Sequence, residues 1–141
     1  MSSHVNPDRE TFAAFRNLPL DEPIHMLNLV RLRDRAAYED GREASGREAY
    51  QAYGRESEPI FRRVGGRQIW IGRPDFMLTG PPDEAWDIAF IAEYPSAQAF
   101  IDMIRDADYR EAVKHRTAAV ADSRLLRLKP GEAGAGFGEM A

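Results

Sequence analysis

Residues 24–32 read IHMLNLVRL, and this stretch decides the fold. Side chains of an extended chain alternate between two faces, so Leu27 and Leu29 share one face and Ile24, Met26, Val30 and Leu32 the other. A strand apolar on both faces is predicted to be central in a sheet covered on two sides.

Toward the N-terminus, Asn6-Pro7 reads as a helix start, because Asn can accept from free amides and Pro lacks a donor that would be unpaired there. Phe12, Phe15 and Arg16 then fit a short helix ending before Pro19. Downstream, Asp34 to Ala44 is polar, and Ser45 with Glu48 forms a capping-box pattern. Tyr50, Tyr53, Ser57, Phe61 and Val64 follow at helical spacing, with Pro59 expected to kink or restart the helix and Gly65-Gly66 to end it. Gln68 to Gly72 reads as a strand, and Trp86 to Tyr94 as another, with Gly80, Pro81, Pro82 and Asp83 in the connection. Ser96 caps a helix carrying Phe100, Ile101 and Ile104. Asp106 to Asp108 restarts it, placing Tyr109, Val113, Arg116 and Val120 on one stripe. Arg124 to Leu128 is the closing strand, stopped by Pro130.

Apart from the leading helix, the order is β-α-β-β-α-β, the split βαβ arrangement of ferredoxin-like α+β domains. Right-handed crossovers put both helices on one face of a four-stranded antiparallel sheet. The opposite face keeps Ala89 and Ile91 at its centre and needs cover, which a second copy supplies in a closed, sheet-to-sheet homodimer. The expected divisions are a helical extension over 1–20, the ferredoxin-like domain over 21–130 and a flexible Gly-rich tail over 131–141.

Composition narrows the function classes. The 141 residues suit one domain, and 43% hydrophobic content is enough to bury a core. The formal charge is −4, with acids and bases interleaved, so no basic stripe points to nucleic acid. With no cysteine, disulfides, thiolate metal sites and a Cys nucleophile are excluded, and the cytoplasm is the expected location. No apolar run approaches the ~20 residues of a membrane span, and Met1 to Glu10 has no signal-peptide core.

The candidate chemistry lies in polar groups on apolar faces. Arg116 shares a helical stripe with Tyr109, so its guanidinium either grips a substrate carboxylate or enolate, forms an internal ion pair with Asp87 or Glu93, or extends past a packed stem to water. Asn28 lies between Met26 and Val30, and its amide must find hydrogen bonds or cost ~1–3 kcal/mol. It orients a ligand, satisfies a loop carbonyl or pairs with its symmetry mate. His25 points to the opposite face. His115 is turned about 100° from Arg116 around the helix, as a rim residue would be. Tyr50, Tyr53, Trp70, Trp86 and Tyr109 either line an apolar pocket with hydroxyls at its edge or serve as core.

His4, His25 and His115 show no metal spacing, leaving only a lone haem ligand from His25 or His115 as a cofactor reading. No Gly-x-Ser-x-Gly elbow, GxGxxG or Walker pattern is present in a suitable context. The expectation is therefore no metal and no nucleotide cofactor.

Several segments together resemble the DUF1330 family: MLNLVR (Met26 to Arg31), Ala49-Tyr50 with Tyr53-Gly54, Gly65-Gly66-Arg67, Trp86-Asp87, Tyr94-Pro95-Ser96 with Phe100, and Asp108-Tyr109 followed by Arg116. The resemblance spans roughly residues 24–129 and implies a dimeric α+β barrel. That scaffold hosts cofactor-independent monooxygenases, haem-degrading enzymes and isomerases or dehydratases, so it selects no single chemistry. The functional expectation is a dimeric barrel that binds a small, mostly apolar, oxygen-bearing metabolite and transforms it, if at all, by proton transfer or cofactorless oxygenation. Arg116, Asn28, Tyr53, Trp70 and Tyr109 are the ligand candidates, and Arg116, Tyr109 and His115 the catalytic ones. The alternative is a noncatalytic ligand- or partner-binding dimer in which these polar residues are structural.

Overall fold

Ile24–Leu32 forms strand β1, and it is central: β3 (Ile88–Tyr94) pairs antiparallel on one side and β4 (Val120–Leu128) on the other. Strand β2 (Arg67–Gly72) joins the outer edge of β3, giving the order β2-β3-β1-β4. The structure is a computed structural model that describes residues 3–140. Its helices are α1 (Arg9–Arg16), α2 (Gly46–Arg63), α3 (Ala97–Arg105) and α4 (Ala107–Ala119). The architecture is the ferredoxin-like βαββαβ with an additional leading helix.

Local chemistry sets the helix ends. Ser45 and Glu48 close the expected capping box on α2, satisfying two otherwise free backbone amides. Gly46 is required in that first turn, since a Cβ there would stand 1.8 Å from the carbonyl oxygen of Arg33. After α2 the chain turns at Gly65, whose φ of +88° suits glycine. Ser96 caps α3, and Asp106 ends α3 while accepting from the amides of Asp108 and Tyr109 to start α4.

Three boundaries differ from expectation, and at Pro59 one of the two expected outcomes, a restart, does not occur. The N-cap of α1 is Asp8, which accepts from the Thr11 amide, so Asn6 and Pro7 lie outside the helix. Helix α2 runs through Pro59 without restarting; the carbonyl that loses its donor belongs to exposed Arg55, where water can replace it. Trp86 precedes β3 and is buried, with the guanidiniums of Arg31 and Arg124 over its ring. Val120 is not on the α4 stripe: it opens β4, fully buried, because the chain passes from helix to strand without a loop. In the tail, Phe137–Met140 forms a 3-10 turn whose Phe137 and Met140 are exposed.

The two sheet faces differ in cover. On the helix-covered face, Ile24, Met26, Ala92 and Tyr94 pack with Ile60, Phe100 and Tyr109. On the other face the strand registers align Trp70, Ile91, Leu27 and Leu126 in one apolar row across all four strands. At its two ends Trp70 is 52% and Leu126 50% exposed. No helix among the described residues is long and apolar enough to cross a membrane.

Candidate functional site

The helices do not close completely on the sheet. Between them lies a cavity of about 1150 Å³, above the ~300–1,000 Å³ usual for small-molecule sites. β1 contributes Met26 and Asn28 to its floor, α2 and α4 contribute Tyr50, Tyr53 and Tyr109, and the N-terminal segment with α1 roofs it.

Tyr53 and Tyr109 meet hydroxyl to hydroxyl at 2.8 Å. Two hydroxyls sharing one hydrogen bond leave one O–H free to donate to a third oxygen. Burial raises the Tyr109 hydroxyl far above the ordinary phenol value, and proximity to Tyr53 adds to it. Burial does the same to Tyr50 and Tyr94. These groups keep their protons at neutral pH and act as donors rather than bases. Asn28 donates through Nδ2 to the Met26 carbonyl of its own strand at 3.1 Å, the local solution to its place on an apolar face.

Arg116 reaches the cavity, but neither of the expected acids is its partner. Asp87 accepts from the Leu32 amide, and Glu93 pairs with Arg67 and His25. Arg116 instead donates through Nη1 to the Val5 carbonyl at 2.6 Å and to Asn6 Oδ1 at 3.4 Å, and through Nη2 to Ser123 Oγ at 3.4 Å. It clasps the strand of chain that leads into α1.

Trp70 and Trp86 stand outside the cavity lining, the first exposed and the second buried with two arginines against its ring. His115 also lies outside it, with Nδ1 2.7 Å from the Tyr38 hydroxyl and Nε2 2.8 Å from Glu56. His25 pairs with Glu93 at 3.3 Å on the helix-free face. Neither His25 nor His115 offers the cavity an axial haem ligand. No group of three metal-ligating side chains occurs among the described residues.

Two features of the site were not read from the sequence. The segment before α1 is strapped down: the His4 amide donates to Asp122 Oδ1 at 2.8 Å and Ser123 Oγ donates to the His4 carbonyl at 2.7 Å. Arg127 lines the cavity from β4. Leu125, Leu126 and Leu128 around it are all apolar, so alternation along RLLRL does not reveal which residues face inward; only the Met26–Arg127 register does.

The family model described as a domain of unknown function, DUF1330, matches residues 41–127. The chain belongs to the DUF1330 family. The match omits β1, although MLNLVR was among the segments that carried the resemblance. No curated protein matches this DUF1330 chain. RPA0582, a protein of unknown function from Rhodopseudomonas palustris, is 61% identical; its crystal structure covers 93% of this chain and 99% of its own, with a TM-score of 0.89. The methylated form of RPA0582, also 61% identical, covers 96% of this chain and 100% of its own, with a TM-score of 0.92. At 12% identity, SnoaB, a cofactor-independent oxygenase from Streptomyces nogalater, covers 82% of this chain and 99% of its own with a TM-score of 0.53, a likeness of fold alone.

Proposed function

We propose that this DUF1330 protein is a homodimeric, cytoplasmic barrel whose cavity binds a small, mostly apolar metabolite carrying an oxygen acceptor. The single observation that carries the reading is the Tyr53–Tyr109 hydroxyl pair, 2.8 Å apart, lining a cavity of about 1150 Å³. Apolar walls take up the ligand body, and the spare phenolic O–H meets a carbonyl, enol or phenol oxygen. Any transformation would be proton transfer or oxygenation without metal or nucleotide, with buried phenols stabilising developing charge on that oxygen. The fold is shared with a cofactor-independent oxygenase, which supports the scaffold's capacity for such chemistry. The homodimer is supported by the apolar row Trp70, Ile91, Leu27 and Leu126, which a second sheet would cover.

A second reading, a noncatalytic dimer with structural polar residues, is favoured for Arg116, whose donors hold Val5, Asn6 and Ser123, and for Asn28, whose amide holds the Met26 carbonyl. Calorimetric titration with 2-naphthol, an apolar probe with one hydroxyl, tests the cavity reading. One molecule should bind per chain, and Tyr109→Phe should weaken it about 5- to 10-fold, the worth of one neutral hydrogen bond of ~1 kcal/mol. Absence of binding to the wild type would contradict the cavity reading, and equal affinity in Tyr109→Phe would remove the hydroxyl pair from it.

A further inference from the structure

The arginines around the cavity are not equally occupied. Arg62 pairs with Glu58 at 2.7 Å, Arg67 with Glu93 at 2.9 Å and Arg124 with Asp122 at 2.8 Å. Arg116 and Arg127 have no carboxylate partner among the described residues. Each instead holds a backbone carbonyl of the roof: Arg116 takes that of Val5, before α1, and Arg127 Nη2 takes that of Pro19, beyond it, at 2.7 Å. The lining also carries Arg110 and only two carboxylates, Asp8 and Glu58. Asp8 is committed to capping α1, and Glu58 to Arg62. Of the six lining arginines, Arg110, Arg116 and Arg127 are therefore the three without a carboxylate partner among the described residues.

Arg127 goes further. Its Nη1 is buried with no hydrogen-bond partner, and its guanidinium carbon lies 5.2 Å from the centre of the Phe15 ring of α1. A carbonyl and an aromatic face satisfy a guanidinium incompletely; a carboxylate engages two of its N–H groups at once. The cover is lightly built. No residue of α1 is buried, and among the described residues the arginine ties on the roof segment are the two clasps near its ends, with backbone hydrogen bonds at His4 and Leu20 beside them. Phe15 itself packs on Phe100 at 5.5 Å between ring centres, a contact that an incoming apolar group can replace.

We propose that the cavity selects an apolar carboxylate, that Arg127 is its anion anchor, and that residues 4–20 are a lid which lifts from Arg127 to admit it. This deepens the proposed function and rests on its cavity. The anion displaces Phe15 from the guanidinium and replaces the Pro19 carbonyl as acceptor, so the lid lifts between two hinges: Arg116 and Ser123 hold its N-terminal end, and the Gln98 amide holds the Leu20 carbonyl at the other. The apolar body of the acid lies under α2 and α4, with the Tyr53–Tyr109 pair available to any second oxygen.

Naphthalene-2-carboxylate and the isosteric, uncharged naphthalene-2-carboxamide separate the possibilities. The carboxylate should bind the wild type at least tenfold tighter than the carboxamide. Arg127→Gln should lose that preference while keeping its carboxamide affinity, and Arg127→Lys should recover part of it. Tryptic cleavage after Arg16 should accelerate with the carboxylate and not with the carboxamide. Equal wild-type affinities for the two probes would overturn the anion anchor and leave the apolar cavity standing. Binding of neither would overturn the cavity and the inference together. A preference that survives in Arg127→Gln would move the anchor to another residue, and unchanged cleavage would overturn the lid. The wild-type comparison holds even if Arg127→Gln fails to fold.

Discussion

The Arg116 guanidinium donates to the Val5 carbonyl at 2.6 Å, across 111 positions of sequence, and so ties the last turns of α4 to the chain entering α1. This contact gives Arg116 a structural task that its position on the Tyr109 stripe does not disclose. Arg116→Gln should cost about 1.5–3 kcal/mol, the range for hydrogen bonds to a charged group, and should hasten proteolysis within residues 4–20. Urea denaturation and limited proteolysis check this; unchanged stability and unchanged cleavage would remove the clasp.

Asp122 anchors the same segment on the β4 side, where its side chain is 8% exposed. Burial pushes its carboxyl up, but the His4 amide, the Arg124 guanidinium and the Ser123 amide outweigh that and hold it below the ordinary carboxylate value. A carboxyl lowered in the folded state contributes stability that is present above its unfolded value, about pH 4, and is lost as pH falls through the lowered folded value. Asp122→Asn should therefore destabilise the protein at neutral pH and flatten the fall in melting temperature below about pH 4. An acid limb identical to wild type would contradict this assignment.

The apolar row on the helix-free face makes Leu126 a sensitive position, since it is half exposed in one chain and would be covered in a pair. Leu126→Glu should convert the dimer to a monomer by light scattering, because a carboxylate buried against a second sheet has no partner there. Leu125→Glu, one residue away on the cavity side, should leave the dimer intact. A monomeric wild type would contradict the account of this face.

The fold was legible because the deciding signals are local. The two-sided strand 24–32, the Ser45–Glu48 box, Gly65 and the Asp106 restart each carry their own chemistry and need no distant partner. The cavity was legible in part: Tyr53, Tyr109 and Asn28 follow from periodicity and do line it. Trp70 lies off the cavity lining, on the far side of a bulge in β2 between Gln68 and Trp70 that shifts the alternation short strands otherwise obey. Two of the three partners of Arg116, Val5 and Asn6, lie in a segment with no periodicity, 111 and 110 positions away, and no spacing rule reports such contacts. Arg127 was hidden by the leucines around it, Leu125, Leu126 and Leu128.

The methionine methyl groups offer the most direct test of the central claim, that the space between sheet and helices is a ligand site. Met26 and Met103 line the cavity, whereas Met77 and Met140 lie outside its lining. In a methyl NMR titration of carbon-13-methyl-methionine protein with 2-naphthol, the Met26 and Met103 signals should move together in a saturable manner while those of Met77 and Met140 stay fixed. Shifts confined to Met77 or Met140, or no saturable shift at Met26 and Met103, would contradict the account.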